Sequence, residues 1–272
     1  MENFYRFGVR NVDGDQSHLF EMMTAEWVRV ISTFTSGDPA RDIAIGPDGR
    51  IWLLKKAPGT SHLDDEGVDF ELFVYNGFGL YRQRSGWDRV PGEGVAITVD
   101  QEGHPWLAQA SGAIVRHTDN GWERLPGAAT DLSVGANGAA WAIGTGEVPG
   151  GHEILRWTGQ DWEVVSGGAV RIAVSPTGDP WVINDRDQIF RRMGGRWYRV
   201  RGGAIDIAFG ADGNCWINGN DGGGQGGNGV YHWNGRDWDR TDGAGMRIAV
   251  QNNGMPWMIN IRGNVYSRHL NH

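Results

Sequence analysis

Short apolar runs, each stopped by a turn of Pro, Gly, Asp or Asn, follow one another along almost the whole chain. RIAVSPTGDPWVIN (171–184) shows the pattern best: a β-branched run, a turn whose Pro and Gly set φ, and a second run carrying tryptophan. Matching segments occupy 42–54, 96–108, 131–143, 206–218 and 247–260. A third run reads apolar, apolar, polar: Ile114-Val115-Arg116, Ile154-Leu155-Arg156, Ile189-Phe190-Arg191 and Val230-Tyr231-His232. A polar loop then leads into a fourth run that opens on another tryptophan, as in WERLPG, WEVVSG and WYRVRG. No stretch holds a 3.6-residue apolar period, so the chain predicts short strands, four to a repeat.

Twelve of the 14 tryptophans fall into two interlocked series. Trp52, Trp106, Trp141, Trp181, Trp216 and Trp257 follow a Gly-rich turn; Trp27, Trp87, Trp122, Trp162, Trp197 and Trp238 open the fourth run. From the second series to the next member of the first is 19 residues in five of six cases, and 25 from Trp27 to Trp52. Strands this short are unstable alone, and four per unit stacked about an axis make a β-propeller. The expected fold is all-β: a six-bladed β-propeller of four-stranded antiparallel blades forming one domain over 1–272. The chain ends after a third strand, Val265-Tyr266-Ser267-Arg268, while Trp27-Val28-Arg29-Val30 is a fourth strand with no first or second before it. The N-terminal strand around Trp27 is therefore expected to complete the C-terminal blade and close the ring. Leu19-Phe20 reads as one third strand too many, and residues 1–18 as an N-terminal extension.

The spacing from first to second series within a repeat is 35, 16, 21, 16 and 22 residues, while the step between repeats is fixed. All insertion is thus expected between strands two and three, on one ornamented face. The long inserted loop 55–79 is acidic, with a strand of its own at Leu72–Tyr75, and GNDGGGQGGNG (219–229) reads as a flexible surface loop.

A formal charge of -8 argues against nucleic acid, which needs a basic stripe. No apolar run reaches membrane-span length, so no membrane insertion is expected. Cys215 stands alone, in a slot filled elsewhere by small or apolar residues, and reads as packing. MENFYRFGVR has no apolar core of a signal peptide, which predicts a cytoplasmic protein or one released without a classical signal. Three oxygen donors in Asn184-Asp185-Arg186-Asp187 fall short of a calcium shell, and His62, Asp64, Asp65, Glu66 and Asp69 lack tight ligand spacing; no metal or other cofactor is expected. No nucleophile motif or repeated histidine set appears, so the chain reads as no enzyme.

The regular tryptophans predict packing between blades rather than binding platforms. The off-series pair, Trp157 and Trp233, is the better candidate. Both occupy the fourth position of strand three, which elsewhere holds Gln83, His117, Arg192 and Arg268. Such a mixed slot reads as a partly exposed strip of aromatic and hydrogen-bonding groups. Arg82, Arg116, Arg156 and Arg191, one position earlier, are expected to pair with acids such as Asp88, Glu123 and Glu163.

RIAVSPTGDPWVIN…QIFRRMGGRWYRVRGG (171–203) and DIAIGPDGRIWLL…GLYRQRSGWDRVPG (42–92) together resemble the tectonin β-propeller repeat of tachylectin-1-like and fish-egg lectins and fungal tectonins. The resemblance spans about residues 19–272. It implies a six-bladed ring and a multivalent carbohydrate-binding protein for surface glycans or lipopolysaccharide-like polysaccharide; other members serve as protein-interaction modules in larger assemblies. Asn at the end of strand two stands at Asn184 and Asn260, with Lys55, Gln109, Gly144 and Gly219 in its place elsewhere, so repeated sugar sites are expected in only some blades. The candidate binding set is Trp157, Trp233, His117, Arg192, Asn184, Asn260 and Arg268, in grooves between blades. GPDGRIW also resembles antibiotic-inactivating propeller lyases, whose seven-bladed ring and His-centred metal site have no counterpart in this sequence.

Overall fold

The computed structural model describes residues 25–30, 39–56, 67–75, 86–222 and 224–270. Within each repeat, strands adjacent in the sheet pair antiparallel. Repeat one is β2 (Ala40–Ile45), β3 (Ile51–Lys55), β4 (Phe70–Tyr75) and β5 (Trp87–Gly94). Repeat two is β6 (Ala96–Val99), β7 (Pro105–Ala108), β8 (Ala113–Thr118) and the first half of β9 (Gly121–Val134). Repeat three takes the second half of β9 with β10 (Ala140–Val148), β11 (Gly151–Trp157) and β12 (Trp162–Ala169). Repeat four is β13 (Arg171–Val174), β14 (Pro180–Ile183), β15 (Gln188–Met193) and the first half of β16 (Arg196–Phe209). Repeat five is the rest of β16 with β17 (Cys215–Gly219), β18 (Asn228–Trp233) and β19 (Trp238–Gly245). Repeat six is β20 (Arg247–Val250), β21 (Pro256–Ile259), β22 (Val265–Leu270) and β1 (Ala25–Arg29), which pairs Trp27 with Arg268. The result is two four-stranded sheets and two seven-stranded ones, because β9 and β16 each run unbroken from one repeat into the next.

Two expectations are corrected in repeat one. Its third strand is β4, with Tyr75 opposite Trp87, so the slot assigned to Gln83 belongs to Tyr75. Residues 76–86 consequently fall between strands three and four, and extra length is not confined to one face. Leu19-Phe20, residues 1–18, His62, Asp64, Asp65, Glu66, Arg82 and Gln83 lie outside the described residues.

The two tryptophan series have different jobs. The first series is buried, each member at 3–7% exposure. The second reaches across to the preceding repeat: the indole N–H groups of Trp122, Trp162, Trp197, Trp238 and Trp27 donate to the carbonyls of Pro91, Pro126, Ser166, Arg201 and Asp242 at 2.7–2.9 Å. Each acceptor precedes a glycine with positive φ, and the indole covers that glycine. A Cβ on Gly127, at φ 80°, would stand 2.8 Å from Trp162 Cδ1. Gly127→Ala is expected to cost about 1–3 kcal/mol in urea unfolding, through φ strain and loss of this clamp.

The first strands of all six repeats line one axial cavity of about 110 Å³. Their inner edges have N–H groups that no further strand pairs, and side chains of the preceding repeat satisfy some of them. Asp42, Asp131 and Asp206 accept from Ile97, Ile172 and Ile248 at 2.8–2.9 Å; Thr98 and Ser133 hydroxyls accept from Val134 and Val174 at 3.2 and 3.0 Å. The position of those aspartates holds Asp in repeats one, three and five, and Ala96, Arg171 and Arg247 in two, four and six. Arg171 binds Asp206 Oδ1 through Nε and Nη2 at 2.9 and 2.7 Å, with Nη1 3.2 Å from Asp131. Arg247 Nε lies 3.8 Å from Asp42. Three buried carboxylates therefore share two guanidiniums. Burial pushes the Asp131 carboxyl up to about 6, against the pull of Arg171, and raises Asp42 as well. Burial also works against the Arg171 charge, but Asp131, Asp206 and Asp42 together hold its pKa above the ordinary value.

Candidate functional site

The fourth position of strand three is a stacking slot. In every repeat its side chain lies opposite the second-series tryptophan in strand register. In odd repeats it is a ring bridging two tryptophans. Trp157 sits 5.0 Å from Trp162 and 6.4 Å from Trp106 of the preceding repeat; Trp233 sits 4.9 Å from Trp238 and 5.6 Å from Trp181; Tyr75 sits 5.0 Å from Trp87 and 5.7 Å from Trp257. In even repeats it is His or Arg. His117 packs edge-on against Trp122, the Arg192 guanidinium lies over Trp141 and Trp197, and Arg268 lies over Trp27. A π-face accepts either kind of partner, which accounts for the mixed composition. Trp157 and Trp233 are half-buried, and Arg268 is buried beside Asp242. Of the expected arginine pairs, Arg116 bonds Glu123, whereas Arg191 lies over Trp181.

Asn184 and Asn260 stand at the other end of strand three's hairpin, on the face of the strand two–three turns. The structure does not bring them together with the stacking slot. Each caps its own turn: Asn184 Oδ1 accepts from Arg186 and Gln188 at 3.1 and 2.9 Å, and Asn260 Oδ1 accepts from Arg262 and Asn264 at 2.9 Å each. This Asx geometry needs a tight turn. It is lost where Lys55, Gly144 and Gly219 lead into longer connections, and at Gln109 the turn closes through the backbone, Gln109 N–H to Ala113 carbonyl at 2.8 Å.

Above these two asparagines lie two grooves in equivalent positions. The groove between repeats three and four, about 200 Å³, is lined by Trp197, Phe190, Asn184, Val182, Gly167 and Pro149 among others. The groove between repeats five and six, about 430 Å³, is lined by Trp27, Tyr266, Asn260, Met258, Gly243 and Asp242 with flanking small residues. In each, a glycine carbonyl from the long loop of the odd repeat accepts a backbone N–H just after the asparagine: Asp185 to Gly150 and Ile261 to Gly226, both 3.0 Å. The third equivalent interface differs. There Ala110 N–H bonds the Asp69 carboxylate at 2.6 Å, and Val115 replaces the aromatic. Sequence reasoning named the asparagines but missed Phe190, Tyr266, Trp27 and Trp197 as their neighbours. The signal available was the recurrence of Asn, aromatic and Trp at matched spacing in repeats four and six.

Among the described residues of the Gly-rich loop 219–229, the Asp221 and Asn228 side chains both take backbone N–H groups, Asn228 Oδ1 from Gly222 at 2.9 Å. Asp221 accepts from Gly229 N–H and from the Tyr231 hydroxyl, each at 2.8 Å, with Arg240 at 3.8 Å. Burial opposes its charge, but these donors hold its carboxyl below the usual value. Among the described residues Asp100, Glu102 and His104 form the one grouping of metal-type ligands. Asp100 is already engaged, by the N–H groups of Glu102 and His104 and the Trp106 indole, as a turn cap. Cys215 is buried, and burial pushes its thiol well up, as a packing residue requires.

The chain matches the family model described as the Tectonin domain over residues 95–192 and 168–272. No curated protein matches it. Among solved structures it is similar to a calcium-binding protein, regucalcin, from Agrobacterium tumefaciens, with 13% identity, a TM-score of 0.60, and 90% of this chain and 94% of that one covered. It is similar to the WD40 β-propeller domain of Doa1, at 14% identity and TM-score 0.56 over 89% and 96% of the two chains. It is also similar to a catalytically inactive virginiamycin B lyase from Staphylococcus aureus with quinupristin, at 14% identity and TM-score 0.55 over 91% and 100%. At these identities the likeness shows the fold.

Proposed function

The chain belongs to the tectonin-domain family, its matches together covering residues 95–272, and on that ground we propose that this β-propeller protein is a six-bladed, non-enzymatic lectin for surface glycans. The observation that carries the reading is the pair of equivalent grooves between repeats. Each combines a half-buried indole, a second aromatic ring and an asparagine above a floor of small residues. Aromatic faces suit the C–H edges of a pyranose, and amide and backbone groups suit its hydroxyls. The ligand class is a bacterial-type surface polysaccharide, and repeated weak sites on one rigid body gain by effective concentration. The axial carboxylates and guanidiniums are engaged with one another and with backbone N–H groups, which supports binding rather than catalysis.

An array of bacterial surface polysaccharides tests this. The wild type is expected to bind, and Pro149→Arg with Ala244→Arg, which fill the two grooves from residues that line them, to lose at least about tenfold in affinity. No binding by the wild type at high protein concentration would sink the reading. One observation favours a protein-interaction platform instead: Val164 and Tyr198, on outer strands, are 64% and 45% exposed. Recovery of a stoichiometric protein partner, unaffected by free sugars, would favour that second reading.

A further inference from the structure

Two residues after each first-series tryptophan, strand two carries a side chain that points into the joint with the next repeat. The six occupants are Leu54, Ala108, Ile143, Ile183, Asn218 and Ile259, all at 0–2% exposure. Five are apolar. Asn218 is fully buried, and neither its Nδ2 nor its Oδ1 has a hydrogen-bond partner among the described residues. An orphaned carboxamide in a buried joint costs stability, and the other repeats show that the fold accepts aliphatic groups in the same slot.

The placement of Asn218 is specific. A Cβ on Gly245 would lie 2.9 Å from Asn218 Oδ1 and 3.1 Å from the Met258 sulfur, so the amide, Gly245 and Met258 adjoin. Met258 lines the groove between repeats five and six, as does Ala244, the neighbour of Gly245. Asn218 therefore lies one layer beneath that groove, screened by a residue with no side chain and by a thioether with several soft torsions. In the sister groove the corresponding positions are Ile143 beneath, Ala169 in place of Gly245, and the stiff Val182 in place of Met258. The carboxylate at the rim, Asp242, is already paired with Arg268. With its side chain 58% exposed, that carboxylate disfavours an anionic ligand, and an uncharged one suits this groove.

We propose that Asn218 is a ligand-recognition residue of the groove between repeats five and six, which takes a neutral sugar whose hydroxyl or amide substituent reaches the buried carboxamide past Met258. This rests on the carbohydrate reading and deepens it. It makes the two grooves unequal: the larger selects a substituent that both donates and accepts a hydrogen bond, and the smaller has an apolar floor.

The test follows the indole N–H resonances of Trp27 and Trp197, one in each groove, in nitrogen-labelled protein titrated with glucose, galactose, mannose, N-acetylglucosamine and glucuronic acid. The wild-type Trp27 signal is expected to move with at least one neutral sugar. Asn218→Ile is expected to raise the melting temperature by a few degrees and to weaken the Trp27 response at least about tenfold, leaving any Trp197 response in place. Asn218→Ala, which copies Ala108 of repeat two, gives the same loss of response should isoleucine not fit. An unchanged Trp27 response in both variants overturns the proposal. So does a lower melting temperature in both, which assigns the amide a purely structural role, or a Trp27 response to glucuronic acid as strong as to neutral sugars. Movement of Trp197 alone overturns it while leaving the carbohydrate reading intact; movement of neither indole removes both.

Discussion

Arg171→Leu is expected to lower stability by about 3–5 kcal/mol in urea unfolding, because it strands Asp131 and Asp206 at the axis without their main counterion. Both carboxylates are at 4% exposure or less, so water cannot take over. The converse change is expected to help. Asp131→Asn keeps an oxygen for the Ile172 N–H, removes one of three negative charges shared by two guanidiniums, and should gain about 2 kcal/mol at pH 7.5. The sign of the pH dependence follows. The folded pKa of Asp131, about 6, lies above the ordinary 3.8, so the folded state holds this proton more tightly than the unfolded chain. The stabilisation is complete below the ordinary value and is lost as pH rises through about 6. Melting temperatures of the wild type between pH 5 and 7.5 should fall with a slope that Asp131→Asn flattens. A wild-type profile that rises over that window, or an unchanged slope in the variant, would be inconsistent with the axial charge imbalance.

Trp27→Ala should be worse than Trp162→Ala, although both remove an indole bonded to the preceding repeat. Trp162→Ala is expected to cost about 2–3 kcal/mol, toward the low end for a tryptophan because the ring is half-buried. Trp27 does the same local work and also secures the joint between the two ends of the chain, where β1 pairs with β22. Loosening it exposes the edge of β22, an open template for another strand. The expected result is a larger loss of stability together with concentration-dependent self-association in light scattering. Equal destabilisation of two monodisperse variants would show that closure adds nothing to the local clamp.

Much of this was legible because tryptophan is rare and its spacing is strict: a fixed step locates strands, turns and the closing strand without any energetic argument. Repeat one misled because two segments there have strand-like patterns, and only pairing distinguishes 70–75 from the stretch ending at Gln83. The stacking slot is ambiguous in sequence for a different reason. Tryptophan, histidine and arginine are what an exposed recognition strip contains, and equally what packs on an indole face. The alternation of Asp with Arg or Ala at the head of strand one, and Asn218 in an otherwise apolar column, were both written in the sequence. They become visible only when repeats are compared in pairs, since each joint is built from two unequal neighbours.

That pairing has a geometric consequence. Tight turns, asparagine caps and axial cations recur in every second repeat, and the first pair departs from the other two at Ala96, Gln109 and Val115. In the proposed six-bladed ring, a body built this way has an approximate three-fold axis with one arm blank. In that ring its two grooves, two repeats apart, would stand a third of a turn from one another. On the proposed carbohydrate reading, a flexible polysaccharide would bridge them only if its epitopes recur at that one span, so discrimination between polymers of the same sugar would come from their spacing.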